Sequence, residues 1–160
     1  MTDTPPAVPL TRRLGGSPQG KALGVELVAT EPQLVLKIPY RAELVGDPDT
    51  GVIAGGVVTT LLDSACGWAT ALALKEPTSI ATLDLRIDYM RPAEPGRDIF
   101  ATAHCYKLTR SVAFLRAVAY DVDPSDPVAA AQAAFILDSN AGRGHGANLA
   151  PSRPPEAPAE

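Results

Sequence analysis

The middle of the chain holds a glycine pair that is followed at some distance by a carboxylate. Gly55 and Gly56 open an apolar stretch, and Asp63 lies inside it, close to Leu62 and Cys66. Two glycines ahead of a helix leave backbone N–H groups unpaired and let a carbonyl oxygen approach closely, as an oxyanion hole requires. A carboxylate in apolar surroundings is costly unless it is paired or functional. Together these residues offer donors for an oxygen that gains charge and a group that activates water or attacks directly.

The same residues also have structural interpretations, which the sequence alone leaves open. A glycine pair often forms only the tight turn before a helix, and a buried Asp often bonds a backbone group or a basic side chain. Gly55 and Asp63 are eight positions apart in the sequence. That separation is about 12 Å along a helix, so one small substrate group cannot easily touch both residues.

Apolar patterning predicts two strands, one long buried helix and four further strands, an α+β arrangement in which a sheet can wrap a helix. The helix is predicted over residues 57–74, which are apolar on nearly every face. The strands are predicted over residues 22–29, 33–39, 82–89, 98–107, 111–122 and 128–137. Residues 82–89 alternate strictly between polar and apolar side chains, and the last three segments should form an antiparallel meander. Residues 40–51 are predicted to be a loop or a short helical turn.

Composition favours one globular domain. The chain has 160 residues, of which 46% are hydrophobic and 20% charged. Its formal net charge is −4 without a dense run of Lys or Arg, so we expect neither nucleic acid nor a membrane as partner. Both cysteines lie in apolar segments, which favours a reducing cytoplasm over a disulfide framework. We expect a flexible segment over residues 1–20 without a signal peptide, a domain over 21–138 and a disordered tail over 139–160.

Two motifs resemble the PaaI-like branch of the hotdog-fold acyl-CoA thioesterases. The first is Gly-Val-Ile-Ala-Gly-Gly at residues 51–56, followed by Asp63, where the family pattern is roughly G-x-x-H-G-G and then an Asp within the helix. The second, residues 82–93, looks like the family's next strand and its closing Pro-Ala turn. Both motifs stand in the family's order, and the resemblance spans about residues 23–137.

The resemblance implies a hotdog fold, in which an antiparallel sheet wraps one long central helix. It implies hydrolysis of an acyl-CoA to free acid and CoA, with Asp63 as base or nucleophile, Gly55 and Gly56 as oxyanion hole, no separate cofactor and no metal. It also implies a homodimer or a dimer of dimers, in which the glycine end of one subunit's helix faces the Asp of its partner's. Thr82 matches a Ser/Thr position that helps to position the water in some members, although it also reads as an ordinary β-branched strand residue.

The sequence departs from the family pattern at two positions. Ala54 stands where the motif has His, and Pro48 stands where a polar residue, usually Asn, precedes it. A hotdog protein that binds acyl-CoA or another ligand without turnover is therefore the first alternative, and whether Asp47 or Asp49 supplies a polar group stays open. A hotdog dehydratase or hydratase is the second alternative, but it normally relies on a histidine base, and none stands near the helix start.

Three cations are candidates for binding the coenzyme part of such a substrate. Arg91, Lys107 and Arg110 lie at strand ends or turns, where we expect them to meet CoA phosphates, although isolated surface cations are commonly only solvated.

The other reactive residue types have no partners at useful spacing. Cys66 has no nearby His and is predicted to be core, as Trp68 and Tyr89 are predicted to be core or pocket wall. His104 lies in a strand and His145 in the tail, so no Cys/His cluster has the spacing of metal ligands.

Overall fold

The computed structural model describes residues 17–76 and 78–138, and one long helix wrapped by an antiparallel sheet forms its centre. In chain order the elements are α1 (Pro18–Leu23), β1 (Glu26–Ala29), β2 (Leu34–Ile38), a 3₁₀ helix (Ala42–Leu44), β3 (Val45–Asp47), β4 (Val52–Ile53), α2 (Gly55–Ala73), β5 (Ser79–Tyr89), β6 (Ile99–Leu108), β7 (Val112–Tyr120) and β8 (Ala129–Asp138).

Helix α2 forms the core because it is apolar nearly all round. Its Leu61, Leu62 and Cys66 have no exposed surface, and Trp68 is also buried, which confirms the core interpretation of Cys66 and Trp68. Burial of a leucine side chain contributes about 1.5–3 kcal/mol, so this helix is held by its packing and not by its own propensity. Helix α2 packs against β2, β5, β6, β7 and β8.

The six-stranded sheet runs in the order β1-β2-β6-β7-β8-β5, with every pair antiparallel. Its inner face is built largely from buried alanines of β6, β7 and β8: Ala101, Ala103, Ala113, Ala117, Ala119, Ala129, Ala131 and Ala133. Such small side chains let the helix approach the sheet closely, while larger residues on α2 fill the space between them. The predicted meander of β6, β7 and β8 and the predicted hotdog fold are confirmed.

Helix α1 was not predicted, and it replaces the first part of the predicted strand over residues 22–29. The Ser17 hydroxyl accepts a hydrogen bond from the Gly20 N–H at 2.9 Å, Pro18 opens the helix, and Gly24 ends it with φ +71°. The domain boundary predicted at residue 20 falls inside this helix. Residues 1–16 of the predicted flexible segment and the predicted tail over 139–160, including His145, lie outside the described residues.

Two further differences concern short features. The predicted short turn is present as the 3₁₀ helix, but β3 and β4 pair beside it in a small sheet that was not predicted, since β4 has only two residues. In β5, a register shift between Thr82 and Asp84 interrupts the predicted alternation, so that Leu83 is 61% exposed. The α-helices within residues 17–76 and 78–138 lack the length and hydropathy that a membrane crossing requires.

Candidate active site

The glycine pair forms the first turn of α2, as the sequence predicted. Ala54 is the N-cap residue and its side chain makes no capping hydrogen bond. Within the described part of the chain, the N–H groups of Gly55 and Gly56 donate to no other residue. A Cβ added to Gly56 would meet nothing within 4 Å. Two N–H donors at the positive end of a 19-residue helix are therefore open to a ligand.

The segment that leads into the glycine turn is fixed by hydrogen bonds and by close backbone packing. The Ala54 N–H donates to the Leu44 carbonyl at 2.9 Å. Gly46 in β3 lies so near Ala54 that an added Cβ would stand 2.7 Å from the Ala54 Cα. The Tyr40 hydroxyl donates to the Gly51 carbonyl at 2.9 Å. The position of the helix start thus depends on β3 and its neighbours as much as on α2.

Asp63 lies two turns further along α2, on the flank that faces β5. It is half-buried, unlike its buried neighbours Leu62 and Cys66. The Thr82 hydroxyl donates to Asp63 Oδ1 at 2.8 Å. Among the ion pairs of the described residues, none includes Asp63. The structure therefore brings together the two residues that the sequence singled out, and it provides no basic partner for the carboxylate.

Tyr89 reaches the glycine turn from the end of β5. Its hydroxyl donates to the Gly55 carbonyl at 2.7 Å and lies 2.8 Å from the Thr59 hydroxyl. Thr59 in turn donates to the same carbonyl at 3.1 Å. The sequence predicts Tyr89 as core or pocket wall, and Tyr89 does line a cleft, but its hydroxyl contact is additional. No local pattern marks the hydroxyl contact, since Tyr89 and Gly55 are 34 positions apart.

A cleft of about 350 Å³ opens beside this turn. Its walls are mainly apolar and come from β4, α2, the end of β5 and the start of β8: Val52, Ile53, Gly55, Val58, Tyr89, Met90, Arg91, Pro92, Ala93 and Val128. Asp63 and Thr82 are not among its walls. Within one subunit, the cleft therefore joins Gly55, the first residue of the glycine turn, to an apolar surface but not to the carboxylate.

Arg91 is engaged by acidic side chains. Its guanidinium donates to both carboxylate oxygens of Asp121, at 2.6 and 2.9 Å, and pairs with Asp126 at 3.1 Å. Asp121 is buried, and the hydrogen bonds from Arg91 hold the pKa of its carboxyl well below the usual range. Asp121 and Asp126 thus balance the charge of the Arg91 guanidinium within the subunit, so a bound phosphate is not needed to explain this residue.

Lys107 and Arg110 lie at the opposite end of the sheet from Arg91. Arg91 directly follows β5, whose end pairs with the start of β8. Arg110 lies in the turn between β6 and β7, next to the end of β8. The ten residues of β8 separate these ends by about 30 Å. One subunit thus does not gather the three cations in one place, and their contact with CoA phosphates stays a prediction.

The remaining candidate residues do not line the cleft. Burial, followed by the nearby charge of Asp63, raises the pKa of Cys66 to about 12, so this thiol is a poor nucleophile at neutral pH. His104 is exposed on β6. Asp47 accepts hydrogen bonds from the Asp49 N–H and the Thr50 hydroxyl within its own turn. Neither Asp47 nor Asp49 lines the cleft.

A family profile and the curated relatives both identify the chain as similar to thioesterases. The profile of the thioesterase superfamily matches residues 50–128, which contain the glycine turn, Asp63, Thr82 and Tyr89. The medium/long-chain acyl-CoA thioesterase YigI of Escherichia coli is 30% identical over 113 residues, with 62% of this chain and 72% of that protein covered. The chain spans less of three further curated relatives: 61% of a putative esterase of Halobacterium salinarum, and 45% and 63% of the human and mouse acyl-coenzyme A thioesterase 13.

Solved structures resemble this chain over nearly their whole length. A Pseudomonas aeruginosa protein superposes with a TM-score of 0.71 at 41% identity, covering 79% of this chain and 96% of that one. A mutant of the phenylacetic acid degradation protein PaaI from Thermus thermophilus superposes with a TM-score of 0.64 at 27% identity, covering 75% and 98%.

Proposed function

Because this chain belongs to the thioesterase superfamily, we propose that it hydrolyses an acyl-CoA thioester to a free acid and CoA. The observation that carries the proposal is the exposure and hydrogen bonding of the Asp63 carboxylate. This carboxylate is accessible, free of ion pairs among the described residues, and oriented by the Thr82 hydroxyl at 2.8 Å. A general base must lie within hydrogen-bond reach of the water that it activates, and a carboxylate with no ion-pair partner among the described residues has an oxygen free to accept that water.

In the proposed reaction, water attacks the acyl carbon while Asp63 takes its proton. The carbonyl oxygen gains negative charge and is stabilised by the N–H groups of Gly55 and Gly56. The C–S bond then breaks, the CoA thiolate leaves, and the proton held by Asp63 returns to the sulfur. Direct attack by the Asp63 carboxylate, followed by hydrolysis of the mixed anhydride, uses the same residues and gives the same products.

We further propose that the site is shared between two subunits. The cleft beside Gly55 excludes Asp63 of the same chain, and about 12 Å of helix separates the two residues. A symmetric pair of subunits would bring the glycine turn of one chain to the Asp63 of its partner. We propose that the chain acts in the cytoplasm as a dimer or a dimer of dimers. In this assembly Lys107 and Arg110 would bind the phosphates of CoA.

The test is thiol release from a panel of aliphatic and aromatic acyl-CoA substrates. We expect hydrolysis by the native chain and a fall in kcat of at least about a hundredfold in Asp63→Asn, since the amide keeps the shape but loses basicity. Asp84→Asn is the matched control, because Asp84 is an exposed carboxylate on the same strand as Thr82. Unchanged kcat in folded Asp63→Asn would refute the catalytic role.

A second candidate function, ligand binding without turnover, is favoured by Ala54. At this position the side chain makes no hydrogen bond, so it supplies no polar group where the family motif has a histidine. Under this alternative, the native chain would bind acyl-CoA in a calorimetric titration while releasing no thiol from any member of the panel.

A further inference from the structure

We propose that Tyr89 is a positioning residue that fixes the peptide plane between Gly55 and Gly56 and so aims the Gly56 N–H at the substrate carbonyl. This inference rests on the proposed hydrolysis. It assigns to a residue of β5 a role at the helix start, where Ala54 gives no side-chain cap.

The geometry carries the inference. The Gly55 carbonyl, which accepts the Tyr89 hydroxyl at 2.7 Å, belongs to the same planar peptide unit as the Gly56 N–H. In a trans peptide the two groups point in opposite directions, so a donor bound to the oxygen fixes the direction of the N–H. Withdrawal of charge by the bonded hydroxyl also makes that N–H a stronger donor, because hydrogen bonds in series polarise one another.

Thr59 completes the arrangement from within α2. Its hydroxyl lies 2.8 Å from the Tyr89 hydroxyl and 3.1 Å from the Gly55 carbonyl, so the three groups form a closed triangle. The carbonyl can only accept, so both hydroxyls can donate to it, while either hydroxyl can be the donor in the contact between them. The Tyr89 hydroxyl is thereby held at two points, the Gly55 carbonyl and the Thr59 hydroxyl.

Packing does not explain why a tyrosine stands here. Tyr89 is 51% exposed, which is far from the burial expected of a core aromatic. Its ring lies against Gly55, where an added Cβ would stand 3.6 Å from the hydroxyl oxygen. The ring also forms one wall of the 350 Å³ cleft. Tyr89 thus binds the oxygen of this peptide unit, opposite to the Gly56 N–H that would receive the substrate carbonyl.

The first measurement is steady-state hydrolysis by Tyr89→Phe, which removes only the hydroxyl. We expect kcat to fall about ten- to a hundredfold with little change in KM, since a misdirected donor weakens the transition state more than substrate binding. Tyr106→Phe is the matched control. Tyr106 on β6 is also about half exposed, but its ring lies under the Arg116 guanidinium and does not line the cleft. Equal melting temperatures for the three proteins exclude a mere loss of stability.

The second measurement does not depend on turnover. Octanoyl-CoA with a ¹³C-labelled carbonyl is bound to Asp63→Asn, and the carbonyl stretch is followed by isotope-edited infrared spectroscopy. The oxyanion donors should lower the stretching frequency of the bound thioester, and Tyr89→Phe in the same background should reverse part of that shift.

The outcomes separate the two proposals. Turnover by the native chain with unchanged kcat and carbonyl stretch in Tyr89→Phe overturns the role of Tyr89 and leaves the proposed function standing. Absence of thiol release, together with an unshifted carbonyl band in the bound thioester, overturns both. A fall in kcat and a reversal of the band shift in Tyr89→Phe, but not in Tyr106→Phe, support the inference.

Discussion

Asp121 and Arg91 show how a single pair of residues ties the turn after β5 to the rest of the fold. The Asp121 carboxylate has 1% of its surface exposed and also accepts hydrogen bonds from the Glu94 and Val122 N–H groups. Arg91 holds the pKa of Asp121 well below its ordinary value of 3.8, against a smaller opposing effect of burial. A lowered carboxyl pKa stabilises the fold fully above 3.8, and this contribution declines as the pH falls below that value towards the folded-state pKa.

We therefore predict that Asp121→Asn lowers Tm at pH 7 by at least about 5 °C, because it leaves Arg91 facing a buried amide. The Tm difference from the native chain should narrow as the pH falls below 3.8, since the Asp121 carboxyl is then protonated in the unfolded state of the native chain and must lose that proton on folding to pair with Arg91. Asp126→Asn is the control, because Asp126 pairs with the same Arg91 at the surface and such pairs contribute little. Similar losses of Tm in the two variants would contradict the prediction.

At the scale of the elements, the start of α2 depends on the close contact between Gly46 and Ala54. A Cβ at Gly46 would stand 2.7 Å from the Ala54 Cα, and since that atom is backbone it cannot move without shifting the helix start. We predict that Gly46→Ala destabilises the fold by about 1–3 kcal/mol, as overpacking does, and also impairs hydrolysis. The free energy of unfolding in urea measures the first effect.

Gly56→Ala separates stability from chemistry at the same helix start. No atom lies within 4 Å of the added Cβ, so we expect no loss of unfolding free energy. We expect hydrolysis to fall nevertheless, since the methyl group would occupy the space through which a carbonyl oxygen reaches the N–H groups. Equal losses of unfolding free energy in Gly46→Ala and Gly56→Ala would show that the close contact with Ala54 is not the cause of the destabilisation.

Sequence patterns predicted the long elements because these depend on periodicity, and the family motifs singled out Asp63 and Thr82 separately, without their hydrogen bond. Residues 57–74 are apolar on nearly every face, which is typical of a helix enclosed by other structure. The exposure of Leu83 could not be predicted, because a β-bulge is decided by pairing with β8 and not by the local alternation. The contact of Tyr89 with Gly55 likewise depends on how the end of β5 crosses the start of α2.

At the scale of the whole molecule, β5 forms a long, open edge of the sheet with apolar side chains exposed among charged ones. Leu83, Tyr89 and Met90 are each more than half exposed along or just beyond this strand. Among the described strands β1 forms the other edge, but it has only four residues, against eleven in β5. Long apolar edges are normally paired with another chain, so we expect β5 to form the subunit interface.

We predict that the native chain is a dimer or a dimer of dimers by light scattering at micromolar concentration. Leu83→Lys should yield monomers and abolish hydrolysis, because it places a charge on the expected interface. Val28→Lys on the opposite edge is the control, since Val28 is 53% exposed on β1. A folded native monomer, or dissociation caused by Val28→Lys alone, would contradict the assignment to β5.

The strand that carries Thr82 and Tyr89 to α2 is also the strand with the open edge. Where pairing at that edge completes the site, association and substrate binding become thermodynamically linked, and each must strengthen the other by the same factor. Dilution then acts as an inhibitor, and substrate acts as an assembly factor. Turnover per chain would rise with the concentration of the protein itself, so that a cell doubling its supply of this chain would more than double the flux through it.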